Sequence, residues 1–224
     1  MGTMRTVGQV GNLRPIVNRP RERIAVIAGA IALPCLLWLA ANVTNGETMR
    51  FDEKMRAAIH SWATPALTQF FRLVTLLGAQ AAVIGVAVCA ALVLFLRGRR
   101  DQAWLILIVM AGAELLEYIL KMQFQRQRPV PFFGTMLPES YSFPSGHALL
   151  SSCCYGTLAA LAAARLEDPF RWLVVVATAA LVLAIGISRV YLGVHYPSDV
   201  IAGYLVAAVW LAAVAILYRW IATL

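Results

Sequence analysis

Six stretches of nearly unbroken apolar residues take up most of the chain, at 24–43, 76–96, 103–120, 147–164, 172–188 and 200–221. A helix needs roughly 20 apolar residues to cross the hydrocarbon core of a bilayer. Only an element that satisfies its own backbone polar groups survives there. The pattern therefore predicts six transmembrane helices. The segment 47–62 has a different rhythm. Phe51, Met55, Ile59 and Trp62 recur at spacings of four, four and three with charged residues between them, the stripe of an amphipathic helix lying in the interface plane. Asn45-Gly46 marks the turn before it. Thr64-Pro65 pairs an N-cap residue with a proline suited to the first helical position, so another element starts there. The fold class expected is all-α: a polytopic integral membrane protein with six transmembrane helices plus an amphipathic outer helix.

Composition supports this. The chain is 61% hydrophobic and 13% charged, too apolar for a soluble domain of this length. No internal repeat or second soluble module is visible, so the expected organisation is a basic tail over 1–23 and a single membrane domain over 24–224. The net charge of +8 does not point to nucleic acid, because the arginines flank apolar spans. Eleven arginines lie on the side that holds the N-terminus, against eight lysines and arginines on the other, three of them in the polar clusters described next. The positive-inside rule then expects both termini in the cytoplasm and the opposite ends of the spans on the outer, periplasmic or extracellular, face. Low lysine and high alanine content lean bacterial. Cys35, Cys89, Cys153 and Cys154 fall inside predicted spans without zinc-ligand spacing and are read as small packed hydrophobes.

Against this apolar background three polar clusters stand out. The first is Lys121, Arg128 and Pro129 (K-x6-R-P). The second is Pro144, Ser145, Gly146 and His147 (P-S-G-H). The third is Ser188, Arg189, His195 and Asp199 (S-R-x5-H-x3-D). With six spans, all three lie on one face, opposite both termini. Together they offer three cations, two hydroxyls, a helix start, two imidazoles and a carboxylate, an inventory suited to a phosphate dianion. Arg128 and Arg189 can grip phosphate oxygens two at a time, and Lys121 adds a point charge. Ser145 sits where a helix opens and exposes free N–H groups to an anion, and Gly146 lets the backbone come close. Asp199, in the first turn after Pro197, can fix one nitrogen of His195 and leave the other free to attack. His147 is placed to protonate a leaving oxygen. His60 has no such company and reads as an interfacial residue. The connection 121–144, with Pro129, Pro131, Pro138 and Pro144, is expected to be irregular and stiff.

In order and spacing these clusters resemble the type 2 phosphatidic acid phosphatase family, which includes membrane lipid phosphatases. The likeness covers roughly 121–199, with every motif position filled. It implies that His195 becomes phosphorylated, that Asp199 supports it and that His147 protonates the leaving group. Lys121, Arg128, Ser145, Gly146 and Arg189 would hold the phosphate, with no metal and no cofactor. The implied partner is a lipid phosphate at headgroup depth: polyprenyl diphosphate, phosphatidylglycerol phosphate or phosphatidic acid. Two other readings use the same residues, a lipid-linked phosphotransferase and a non-catalytic carrier of anionic lipid. Glu114 and Glu117 are acids inside a span, where charge is costly and often functional. Glu117 stands one helical turn before Lys121, so it is expected to pair with and orient that lysine, the alternative being a polar contact to a neighbouring helix.

Overall fold

A computed structural model describes residues 19–134, 136–137 and 139–221. Most of the expected basic tail, 1–18, lies outside the described residues, as does Pro138. Among the described residues the structure contains eight helices and no strand: α1 (Arg19–Thr44), α2 (Met49–His60), α3 (Pro65–Leu77), α4 (Gln80–Leu96), α5 (Arg100–Phe124), α6 (Gly146–Ala163), α7 (Phe170–Tyr191) and α8 (Pro197–Ile221). Helices α1, α5, α6, α7 and α8 are each long and apolar enough to cross a membrane; α3 and α4 pass that test only together, as a pair bent by 47°. The protein is a multi-pass membrane protein, with five candidate spans among the described residues, or six if the bent pair is one.

That bend corrects the expected boundary at residue 76. Leu76 and Leu77 end α3, the chain breaks at Gly78 and Ala79, and the crossing helix begins at Gln80. Apolar runs do not reveal a break when the residues on both sides of it are apolar. Its cause is tertiary: a Cβ at Gly78 would overlap the Ile185 side chain of α7 and press on His147, so only glycine lets α3 lie this close. The N-terminus of α3 is as expected, with Pro65 in the first turn and the Thr64 hydroxyl accepting from Leu67 N at 3.2 Å. Similarly, α5 extends to Phe124 and ends at Gln125 in a left-handed conformation, φ 45°, so the long connection starts later than residue 121. Helix α7 reaches Tyr191 and carries Arg189 in its last turn.

The core lies among α4, α5, α6 and α8, where Val83, Ile106, Val109, Leu149, Leu150, Cys153 and Val206 are buried together. Cys153 and Cys154 are buried, but Cys35 and Cys89 lie on the outer surface of the bundle, a correction to the expectation that all four pack inside. Large apolar residues such as Leu37, Trp38, Leu92, Leu173 and Val176 also face outward, as they do where lipid replaces water around a span. Helix α2 shows the same inversion. Phe51 and Met55 are exposed, whereas Asp52 and Arg56 are buried. His60 is not a bare interfacial residue: it stacks on Phe132 with ring centroids 3.9 Å apart. With Arg56 donating to Val130 O at 2.8 Å and Arg72 to Phe133 O at 3.2 Å, α2 and α3 pin the 125–134 segment over the site.

Candidate active site

The three clusters converge because the elements that carry them end on one side of the bundle. Lys121 is in the last turn of α5, Gly146 and His147 open α6, Arg189 closes α7, and His195 precedes α8. Lys121, Arg128, Gly146, His147, Arg189 and His195 line one cavity of about 100 Å³, with Gly78, Gln80, Glu117, Ser140 and Leu150 completing its wall. Asp199 lies behind His195, fully buried. Ser145 is also fully buried and is not part of the wall; its Oγ has no hydrogen-bond partner, and its N–H donates to Asp199 O at 2.9 Å. Ser188, counted among the hydroxyls, is turned away and donates to Ile185 O.

His195 is 2% exposed. Its Nε2 lies 2.9 Å from Nη1 of Arg128, and its Nδ1 lies 3.4 Å from Oδ2 of Asp199. A guanidinium can only donate, so Nε2 is the acceptor and the proton sits on Nδ1, toward the carboxylate. The free lone pair is therefore on Nε2, the nitrogen that meets a cation of the cavity. Burial, followed by the charges of Arg128, Arg189 and Lys121, holds this imidazole well below the usual histidine range, with a backbone bond to Ser142 pulling weakly upward. The neutral ring is thereby favoured, with its lone pair facing the cavity.

The cations are held by the frame. Arg128 donates Nε to Ser140 O at 2.7 Å, Nη1 to Val194 O at 3.0 Å and Nη2 to Ser140 Oγ at 3.1 Å. Arg189 donates Nη1 to Thr75 Oγ1 of α3 at 2.7 Å, and its Nε is buried without a partner. Lys121 Nζ sits 2.6 Å from Glu117 Oε1, with both side chains 12% exposed. The expected Glu117–Lys121 pair is thus present, and Glu114 makes the other contact considered, accepting from Gln80 of α4 at 2.6 Å. Gly146 has a reason for its size that sequence did not reveal: a Cβ there would overlap the Glu117 carboxylate.

Sequence reasoning missed Thr75, Gly78, Gln80 and Ser140 at this site. It also missed Asp52 and Arg126, which lie behind His195 in a buried network. Arg126 stands two residues before Arg128, inside the K-x6-R-P spacing, and Asp52 sits opposite the apolar stripe of α2. Those positions were the available signals. Among the described residues, no three His, Cys, Asp or Glu side chains are gathered as metal ligands would be.

Residues 102–222 match the PAP2 superfamily. The chain belongs to that superfamily. This PAP2 protein is 31% identical over 170 residues to the phosphatidylglycerophosphatase B of Bacillus subtilis (strain 168), covering 75% of this chain and 83% of that one. It is 35% identical over 138 residues to the undecaprenyl-diphosphatase of Sulfolobus acidocaldarius, covering 58% of this chain and 60% of that one. Among solved structures it resembles the first transmembrane PAP2 type phosphatidylglycerolphosphate phosphatase from Bacillus subtilis, with a TM-score of 0.75 and 28% identity over 87% of this chain and 96% of that chain. The resemblance read from 121–199 is thus a family membership, and the architecture around the motifs is shared as well.

Proposed function

We propose that this PAP2 protein hydrolyses a phosphate monoester or diphosphate on a membrane lipid through a phosphohistidine at His195. The observation that carries this reading is the state of His195: buried and neutral, with Nδ1 turned to Asp199 and Nε2 turned into a cavity ringed by Lys121, Arg128 and Arg189. Phosphoryl transfer asks mainly for positioning and for positive charge around the equatorial oxygens. An incoming phosphate takes Arg128 from Nε2 and is held by that guanidinium, Arg189, Lys121 and the first-turn N–H groups of α6. The Nε2 lone pair attacks phosphorus and the bond to the lipid oxygen breaks. The bound phosphate dianion offsets the cations around His147, which takes up a proton with it and gives that proton to the lipid oxygen. Asp199 stabilises the Nδ1–H of the phosphorylated ring. Water then attacks phosphorus with His147 as base, the P–N bond breaks, and the electron pair returns to Nε2 as phosphate leaves.

A site made of membrane-helix ends suits a phosphate at headgroup depth. The names of the relatives define the substrates to compare first, phosphatidylglycerophosphate and undecaprenyl diphosphate, with phosphatidic acid as the third. We place both termini in the cytoplasm and the cavity on the outer face, a reading supported by the arginine bias and by the shared end of all three clusters.

The test is phosphate release by the detergent-purified protein, with excess chelator, from those three lipids. Wild type is expected to release phosphate from at least one of them, and His195→Ala to lose at least about a thousandfold in kcat. Release unaffected by His195→Ala would sink the mechanism. Release that requires an added lipid or sugar acceptor would instead favour the phosphotransferase, and binding without release the carrier.

A further inference from the structure

Behind His195, and outside the cavity, lies a second charged cluster that the mechanism above does not use. Arg126 donates Nη1 to Asp199 Oδ1 at 2.6 Å and to Ser198 Oγ at 2.7 Å, and Nη2 to Asp52 Oδ2 at 2.7 Å. Asp52 accepts Ser198 N at 3.0 Å through Oδ1 and the Ser198 hydroxyl at 2.6 Å through Oδ2. The side chain of Arg126 is 10% exposed, and those of both aspartates are 0% exposed. The guanidinium also lies 4.2 Å from the ring centroid of Tyr196. Arg126 therefore touches two residues that flank His195: its neighbour in the chain and its carboxylate partner.

The geometry gives this contact a consequence. Asp199 Oδ2 receives Tyr196 N at 2.9 Å and faces His195 Nδ1 at 3.4 Å, the far edge of hydrogen-bond reach. A small rotation of the carboxylate would end it. The Ser142 side chain and Tyr196 N also hold this carboxylate, and Arg126 grips the other oxygen, Oδ1, with a short charge-assisted bond that opposes the rotation. Arg126 itself sits on an irregular segment just after the left-handed Gln125 and needs an anchor. Asp52 supplies one from α2, a helix with no residue on the cavity wall. An ion pair serving only to fasten α2 to α8 would have no reason to end on the carboxylate behind the reactive imidazole.

We propose that Arg126, anchored by Asp52, is a positioning residue that sets the orientation of Asp199 and, through it, the tautomer and aim of His195. The proposal rests on the reading of His195 as nucleophile. Neither residue touches the phosphate cavity, so substrate binding should be spared while turnover suffers. Partners that orient a ligand histidine at metal sites change activity by about 10- to 100-fold, and an effect of that size is expected here.

The experiment measures kcat, KM and the unfolding midpoint in detergent for wild type, Arg126→Lys, Asp52→Asn and His195→Ala, on the lipid phosphate that wild type cleaves best. A lysine ammonium cannot reach Asp199, Ser198 and Asp52 together. Arg126→Lys is expected to lower kcat by about 10- to 100-fold with KM within about twofold and a midpoint close to wild type, and Asp52→Asn to fall in between. If Arg126→Lys does not fold, the double variant Asp52→Asn/Arg126→Gln, which keeps the net charge of the cluster, carries the same test. Unchanged kcat, or kcat and KM shifting together with a lowered midpoint, would overturn the positioning role and leave a structural ion pair. If His195→Ala stays active, the nucleophile reading fails. If it is dead while Arg126→Lys turns over normally, only the positioning proposal fails.

Discussion

The protonation of single residues decides what the site can do. In the unfolded chain His195 titrates near 6.5; in the native state its pKa lies well below that. As pH falls below about 6.5 the unfolded chain takes up a proton that the native chain refuses, so stability drops on the acid side. A 15N titration of histidine-labelled protein should show His195, identified by its loss in His195→Gln, still neutral at pH 6. The acid loss of the unfolding midpoint between pH 7 and 5 should shrink in that variant; a His195 resonance titrating near 6.5 would contradict the burial described. Glu117 is a second such residue. In Glu117→Gln, Lys121 keeps a neutral partner only. Two effects oppose each other, less repulsion of phosphate and poorer aim of the lysine. The gain in attraction requires Lys121 to stay at the cavity wall, which its bond to Glu117 secures, so the loss of aim is expected to dominate. Weakening a charge-assisted bond by about 1–2 kcal/mol should cut kcat/KM roughly tenfold, and unchanged turnover and affinity would refute the orienting role.

At the level of elements, the bent pair α3–α4 is the part of the fold most closely tied to the chemistry. It brings Thr75 to Arg189, Gly78 to His147 and Gln80 to Glu114, and Tyr155 of α6 donates to Leu77 O at 2.6 Å to satisfy a carbonyl at the break. Gly78→Ala would force a methyl into the fully buried Ile185. Overpacking of this kind costs about 1–3 kcal/mol. The α3 helix should move off α7, carrying Thr75 away from Arg189, so a lowered unfolding midpoint should come with a raised KM for the lipid phosphate. A lower midpoint with KM unchanged would mean that the bend is only a packing feature.

On the scale of the whole molecule, the question is which way the bundle faces. Glu139 lies in the exposed segment beside the cavity, and Glu167 in the exposed turn between α6 and α7 at the other end. In intact cells, a membrane-impermeant maleimide should label Glu139→Cys, and should label Glu167→Cys only after permeabilisation. The reverse pattern would invert the proposed topology. Both variants are made in a Cys35→Ser/Cys89→Ser background, because those two thiols lie on the outer surface of the bundle.

Much of this protein was legible in its sequence because two strong signals are local. Long apolar runs read as spans, and the three motifs sit at the ends of those runs, where the parity of six spans assigns them to one face. Lys121, Arg128, Gly146, His147, Arg189 and His195 were expected together in this way and line one cavity with Asp199 behind it, and the Glu117–Lys121 pair was legible because one helical turn separates its members. Contacts between segments far apart in sequence left no such mark. The break at Gly78 depends on Ile185, the size of Gly146 depends on Glu117, and the burial of Asp52 depends on Arg126 and Ser198. In each case the deciding partner is brought in by helix packing. The amphipathic stripe of α2 predicted a helix at an interface, but an apolar face turned to lipid leaves the polar face to pack inward. Which charge that polar face would meet was decided only when α2, α8 and the segment after α5 came together.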